Sequence, residues 1–431
     1  MDWLAIFAGF AGFVLAVSLL KFGNPVILDH LVLWPTNFEE WRILPWPVVI
    51  GQGAVVVAVA LAILAALRLK IGWSSIREGG WLLWVPVVWL AWQGLAAVAA
   101  APDAPVRPFV RHFIACVLWF YLGRVVLSRV SRVSVFWGAL LIGFALVLWF
   151  GFGQHYGGLE ATRSYFRQRS DWQQFPPEYL RKLESNRIFS TLVYPNALAG
   201  AVLLLLPVSA VFLWQGTGRF LRPTVRMVAV GMLGYMALAC LYWSGSKAGW
   251  LIALGQMLIC FWLLPWQRRA KVVCLLAILA IGLAGFYIRN AGYFDRGATS
   301  VSARFDYWEA ALQTFRRHPM LGTGPGSFAN EYRKIKPPAA EMAKLAHNDY
   351  LQQASDSGLV GFAAYLLLVF ASLARGYRPQ NFKTDRLRFA VWLGLVGWAA
   401  QGAVEFGLYI PALAWPAFLF LGWIVSGPDE K

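Results

Sequence analysis

Apolar residues in this chain fall in long runs separated by short polar breakers, and several runs approach the ~20 residues that a helix needs to cross a bilayer. Twelve runs can be marked, at 3–20, 46–67, 81–101, 109–127, 134–152, 196–214, 226–243, 249–265, 271–288, 358–374, 388–406 and 410–426. The pattern predicts an all-α polytopic membrane protein, residues 1–431 forming a single integral membrane domain with about twelve transmembrane helices. The first run has no positively charged lead and no small-residue cleavage pattern, so it reads as a retained helix rather than a signal peptide. Two long stretches, 153–195 and 289–357, lie between runs. Segments 178–185 and 304–318 within them alternate charged and apolar residues at helical spacing, and the two stretches are expected to build a cap over one end of the bundle.

Composition agrees with a membrane chain: 59% of 431 residues are hydrophobic, 14% are charged and 23 are tryptophan. The net charge of +17 would suggest nucleic acid in a soluble protein. Here short loops on one side of a membrane account for most of it, and no basic stripe with interleaved aromatics stands apart from the runs. Lysine and arginine concentrate after runs 2, 4, 6, 8 and 10, at Arg68, Lys70, Arg77, Arg124, Arg129, Arg132, Arg219, Arg222, Arg226, Arg268, Arg269, Lys271, Arg375, Arg378, Lys383, Arg386 and Arg388. The positive-inside rule makes these loops and both termini cytoplasmic, and puts the two long stretches outside. Cys116, Cys240, Cys260 and Cys274 lie in apolar runs without metal or redox spacing and read as packing residues.

One polar, glycine-punctuated insert, His318–Gly361, interrupts this apolar chain. Its Gly322, Gly324 and Gly326 read as a tight loop allowing close backbone approach to a ligand, and Ser327 as a helix start. From His347 a helix would align Asp349, Gln352, Gln353 and Asp356 on one polar face beside a lone histidine. Elsewhere, Arg187 and small hydroxyls precede run 6, either as a cap with a snorkelling arginine or as an anion site at a helix N-terminus. Lys247 interrupts two runs with almost no loop between them, either snorkelling or functional. The stretch from Arg304 carries Asp306, Glu309, Arg316 and Arg317, which read mostly as a solvated face. No metal spacing occurs among the five histidines, and neither a GxSxG elbow nor a paired-glutamate arrangement argues for hydrolysis.

The ordered set NRIFSTLVYPNALAG, WSGSKAGWL, Arg304-x-x-x-Trp308 with HPMLGTGPGSF, and HNDYLQ with SDSGLVGF resembles the bacterial O-antigen ligase and polymerase superfamily over roughly residues 185–365. The resemblance implies a twelve-helix inner-membrane glycosyltransferase that takes glycan from undecaprenyl diphosphate at the periplasmic face. It implies that Arg187, Lys247 and Arg304 face the lipid diphosphate and that His347 is the general base. Lysine at position 247 departs from the usual arginine and cannot make the same two-pronged contact to phosphate. Asn348, Asp349 and Gln352 are assigned to acceptor contact or support.

The residue inventory suits that chemistry, because displacing a sugar from a diphosphate needs cations for the departing charge and a base for the acceptor hydroxyl. The expectation is a metal-independent enzyme with no cofactor and no nucleic-acid partner. Its partners are membrane lipid, the lipid-linked glycan donor and a lipid A core or other glycan acceptor. A polymerase, a protein glycosyltransferase and, from another class, a transporter or flippase are the alternatives. Transport would favour interrupted helices and ionisable groups at bilayer midplane.

Overall fold

The computed structural model describes residues 2–68, 80–131, 133–168, 180, 184–294, 299–338, 340–378 and 384–426. All twelve apolar runs are helical and, among the described residues, no strand occurs. We number the main helices α1 (Trp3–Lys21), α2 (Val48–Arg68), α3 (Val85–Ala96), α4 (Val106–Tyr121), α5 (Ser134–Gly153), α6 (Pro195–Gly216) and α7 (Pro223–Trp243). They continue as α8 (Lys247–Trp262), α9 (Arg268–Phe294), α10 (Thr299–Arg317), α11 (Phe328–Ile335), α12 (Asp349–Leu366), α13 (Arg386–Gly402) and α14 (Pro411–Val425).

The expected number of twelve membrane-crossing helices is not reached on length and composition. Among the described residues nine helices are long and apolar enough to cross. The other three are α8, α13 and α14, of 16, 17 and 15 residues. At 1.5 Å per residue such helices rise about 22–26 Å, short of a hydrocarbon core of about 30 Å. Of the two helices expected inside the long stretches, 304–318 is present as α10, whereas 178–185 falls largely outside the described residues.

Burial sorts the helices into a centre and a rim. Every residue of α14 is buried, as expected of a helix that is apolar on all sides. It packs against α4, whose backbone comes so close that a Cβ on Gly422 would run into the Phe120 carbonyl and one on Gly123 into the Leu419 carbonyl. Small residues permit that approach. Around α14, α1 packs on α5 and α2, α6 on α13 and α7, and α12 on α3 and α10. At the rim, α9 has α8 as its packing partner and exposes Leu276, Ile281 and Ile288, while α2 exposes Val56, Ile63 and Leu67. Apolar belts this extensive are tolerated in lipid and not in water, so this is a membrane protein.

Residues 299–338 and 340–348 form a lobe beside the first turns of α6 and α8, with which they line one pocket. A small second core of Tyr307, Ala310, Ala311, Phe328, Tyr332, Ala343 and Ala346 holds it together. It is joined to the bundle by the glycine loop, and here the structure corrects the expectation of a ligand-binding turn. Helix α12 breaks at Gly358 (φ 64°, ψ −164°), which frees carbonyls of the preceding turn. Thr323 and Gly324 donate their backbone N–H groups to the Ser355 and Asp356 carbonyls at 3.1 and 2.8 Å, and Leu359 N–H donates to the Pro319 carbonyl at 2.8 Å. The close approach that Gly322 permits is therefore to α12, whose orphaned carbonyls the loop satisfies, whereas Gly324 and Gly326 lie against Ala100 and Phe109.

Candidate functional site

The four residues singled out as diphosphate contacts and base, Arg187, Lys247, Arg304 and His347, come from four separate parts of the chain and line one cavity of about 640 Å³. Each is placed by a local device.

Arg187 sits on the loop before α6, which the end of α5 grips. Gln154 Oε1 accepts from the Phe189 and Ser190 amides at 3.0 and 2.6 Å, and its Nε2 donates to the Ser190 carbonyl at 3.1 Å. Ser190 and Val193 are thereby held at positive φ, 56° and 63°, a conformation that L residues keep only when their surroundings impose it. Arg187 Nε donates to the Ser244 carbonyl at 2.6 Å and its Nη2 to Asn196 Oδ1 at 2.7 Å. Burial pulls its guanidinium below the ordinary value, with Glu405 opposing and Arg304 adding to that effect.

Lys247 is the first residue of α8, where Ser246 caps the helix by accepting from the Gly249 amide at 3.3 Å. Its ammonium lies 3.7 Å from the centre of the Tyr293 ring on α9, a cation–π contact. Arg304, on α10, is ion-paired to Glu405, while its buried Nε has no partner.

His347 adopts φ 50° and is fixed from both sides. The Ala346 amide donates to Gln352 Oε1 at 2.7 Å. Asn348 caps α12 by accepting from the Tyr350 and Leu351 amides, each at 3.0 Å, and donates from Nδ2 to the Ala403 carbonyl at 2.8 Å. The imidazole lies against Phe406 edge-on, with centroids 4.7 Å apart, and against Tyr307 at 5.7 Å. Its Nδ1 is 3.3 Å from Glu405 Oε2.

Glu405, in the turn between α13 and α14, is the residue that the sequence reading missed. Its Oε1 receives Arg304 and Asn196 Nδ2, and its Oε2 faces His347. One buried carboxylate thus ties the base to two of the three cations, Arg187 being linked through Asn196. The available signal was a lone acid at the end of the apolar run 388–406, with no lysine or arginine in the turn that follows, the kind of intramembrane-edge charge that marks function. Burial by itself would raise the Glu405 carboxyl. The hydrogen bond from His347 and the charges of Arg304, His347 and Arg187 outweigh it and hold the group below its ordinary value of 4.5. Its stabilising contribution is therefore complete above pH 4.5 and is lost as pH falls through the lower folded value. Thermal unfolding followed from pH 6 down to pH 3 should fall more steeply for the wild type than for Glu405→Gln; parallel curves would refute the ionised hub.

The polar face of α12 proves structural rather than cavity-lining. Asp349 is buried with Oδ2 accepting from the Leu408 amide at 3.0 Å. Gln352 Nε2 donates to Asp356 Oδ2 at 2.9 Å, which also accepts from the Gly326 amide at 3.0 Å. Gln353 Oε1 accepts from Trp89 Nε1 and Gln93 Nε2, each at 2.8 Å. Asn348, Asp349 and Gln352 thus hold the turn that presents His347. The four cysteines are free, with Cys116 and Cys240 buried in the bundle.

A 170-residue stretch is 29% identical to an uncharacterized protein of Haemophilus influenzae, covering 33% of this chain and 41% of that protein. The match therefore spans about two fifths of that relative's length. Residues 232–366 match the model of the family described as O-antigen ligase. That segment runs from α7 to α12 and contains Lys247, Arg304 and His347, while Arg187 and Glu405 lie outside it. Over residues 232–366, less than half of its length, the chain is thus similar to the O-antigen ligase family.

Proposed function

We propose that this protein transfers an oligo- or polysaccharide from undecaprenyl diphosphate to an acceptor hydroxyl at the periplasmic face of a bacterial inner membrane. In this reading it is an O-antigen ligase acting on lipid A core. The observation that carries the reading is the gathering of Arg187, Lys247, Arg304 and His347 around one cavity, with Glu405 bonded to both Arg304 and His347.

The chemistry follows from those contacts. A proton on His347 Nδ1, donated to ionised Glu405, leaves the Nε2 lone pair free to take the acceptor hydroxyl proton. As that oxygen bonds to the anomeric carbon, the bond from carbon to the diphosphate oxygen breaks and its electron pair leaves with the diphosphate. Arg187, Lys247 and Arg304 neutralise the departing charge, and the unpartnered Arg304 Nε is a donor ready for a phosphate oxygen. Glu405 stabilises the imidazolium so formed. Glu405→Gln should cost about 100-fold in kcat, since general-base catalysis is typically worth 10²–10⁴.

Transfer by purified enzyme from a lipid-linked donor is the direct test. Alanine at Arg187, Lys247 or Arg304 should lower kcat/KM by roughly 10- to 100-fold, the equivalent of about 1.5–3 kcal/mol for a charge-assisted contact. Lys247→Arg should stay active. Full activity of all three alanine variants would remove the diphosphate site. Supplying lipid A core, a second lipid-linked chain or a protein as acceptor separates ligase from polymerase and protein-glycosylating activity. Against transport, the break in α12 at Gly358 has its freed carbonyls taken by the glycine loop instead of lining a passage.

The reading places both termini in the cytoplasm and the segments 153–195 and 289–357 outside. Single cysteines at Ser164 and Met320, in a chain with its four native cysteines replaced, should react with an impermeant thiol reagent in intact spheroplasts. Reaction only after lysis would reverse the orientation.

A further inference from the structure

The cavity is lined by three of the cations discussed above, and a fourth, Arg289, lies beside the junction that carries Lys247 without lining the cavity itself. Three of the four are tied to the junction of α7 and α8, Tyr242–Lys247. Arg187 donates to the Ser244 carbonyl, Lys247 opens α8, and the guanidinium of Arg289, from α9, lies 4.7 Å from the centre of the Tyr242 ring. Arg289 is close enough to Lys247 to act on it electrostatically, as Arg187 and Arg304 do. Glu405 serves Arg304 and, through Asn196, Arg187. Among the described residues no carboxylate pairs with Lys247 or Arg289, and each faces a tyrosine ring instead. Gathering like charges without a counter-charge is unfavourable, and an anion between them relieves it.

An arginine that merely anchors a helix end in the headgroup layer has no reason to turn toward other cations. Arg289 does so from the outermost element of the bundle. Its helix packs on α8, and its neighbours Tyr287 and Ile288 are 63% and 76% exposed. Arg289 is itself exposed, on the same rim helix as the Tyr293 ring that Lys247 faces. Its planar guanidinium also supplies the two-pronged phosphate contact that Lys247 cannot make.

We propose that Arg289 is a fourth diphosphate-binding residue, the lipid-side contact of the donor, which reaches the cavity laterally between α9 and the α7–α8 turn. This rests on the lipid-diphosphate donor proposed above. Undecaprenyl diphosphate without glycan is the probe, titrated against the full-length protein in nanodiscs, alongside steady-state transfer. Arg289→Gln should weaken binding about tenfold and raise KM for the donor in proportion. Arg289→Lys should recover part of the affinity, and Tyr242→Leu, which removes the platform and keeps the charge, should cost less than Arg289→Gln. Binding by Arg289→Gln equal to that of a binding-competent wild type overturns the proposal and leaves Arg289 an interfacial anchor. A wild type that does not bind the lipid diphosphate overturns the donor reading itself.

Discussion

Replacing His347 by alanine should lower the rate of glycan transfer by about 10³-fold, within the 10²–10⁴ typical of a lost general base, while leaving donor binding measurable. The two effects separate because the imidazole and the Arg304 guanidinium meet opposite oxygens of the Glu405 carboxylate, so the cations stay in place when the ring is removed. His347 is held at φ 50° by Asn348 and Gln352 and faced by Tyr307 and Phe406, so removing its ring leaves the supporting turn bonded. A pulse of lipid-linked donor should remain bound to the variant while turnover falls by that factor. Chelators should leave the wild type fully active, because the proposed base and the charge-neutralising groups are all side chains. Full turnover by the variant, or a chelated wild type revived by Mg²⁺ or Zn²⁺, would require a different mechanism.

Gly358→Ala should be the most damaging single substitution of those considered for the fold. At φ 64° and ψ −164° Gly358 occupies a region essentially closed to residues with a Cβ, and that Cβ would collide with the Met320 carbonyl and lie 2.7 Å from the Pro319 oxygen. Backbone strain of about 1–3 kcal/mol and the overlap with main-chain atoms add together. The loop that carries Pro319 and Met320 is bonded to α12 on both sides of the break, so it cannot retreat without losing the contacts of Thr323, Gly324 and Leu359. A control is available in α8, where a Cβ on Gly255 meets nothing within 4 Å; Gly255→Ala should be neutral or slightly stabilising. Unfolding midpoints in detergent should fall by several degrees for Gly358→Ala and not for Gly255→Ala. Equal midpoints would mean that the loop yields, and that its docking does not support the lobe carrying Arg304 and His347.

The hydrophobic pattern alone determined that this is a helical membrane protein and where its helices lie, because a run of apolar residues has one way to satisfy its backbone in lipid. Resemblance in four short motifs also pointed to Arg187, Lys247, Arg304 and His347, which the fold brings to one cavity. What the pattern could not separate was how much of each run crosses: α8, α13 and α14 are as continuous in sequence as their neighbours, yet their helices are shorter. Two further matters depended on the tertiary structure. The glycines of the 318–327 loop signal close approach, but sequence cannot say to what, and the partners are the backbone of α12 for Gly322, Ala100 for Gly324 and Phe109 for Gly326. Likewise Asp349, Gln352 and Asp356 share a polar helix face that a site or a buried network would both display, and only packing shows that Leu408, Ala346 and Gly326 occupy it. Glu405 is the clearest case. It is 58 residues from His347 and 101 from Arg304, so a lone acid at the end of an apolar run could mark it as unusual, while its partners follow from the distances that folding sets between side chains.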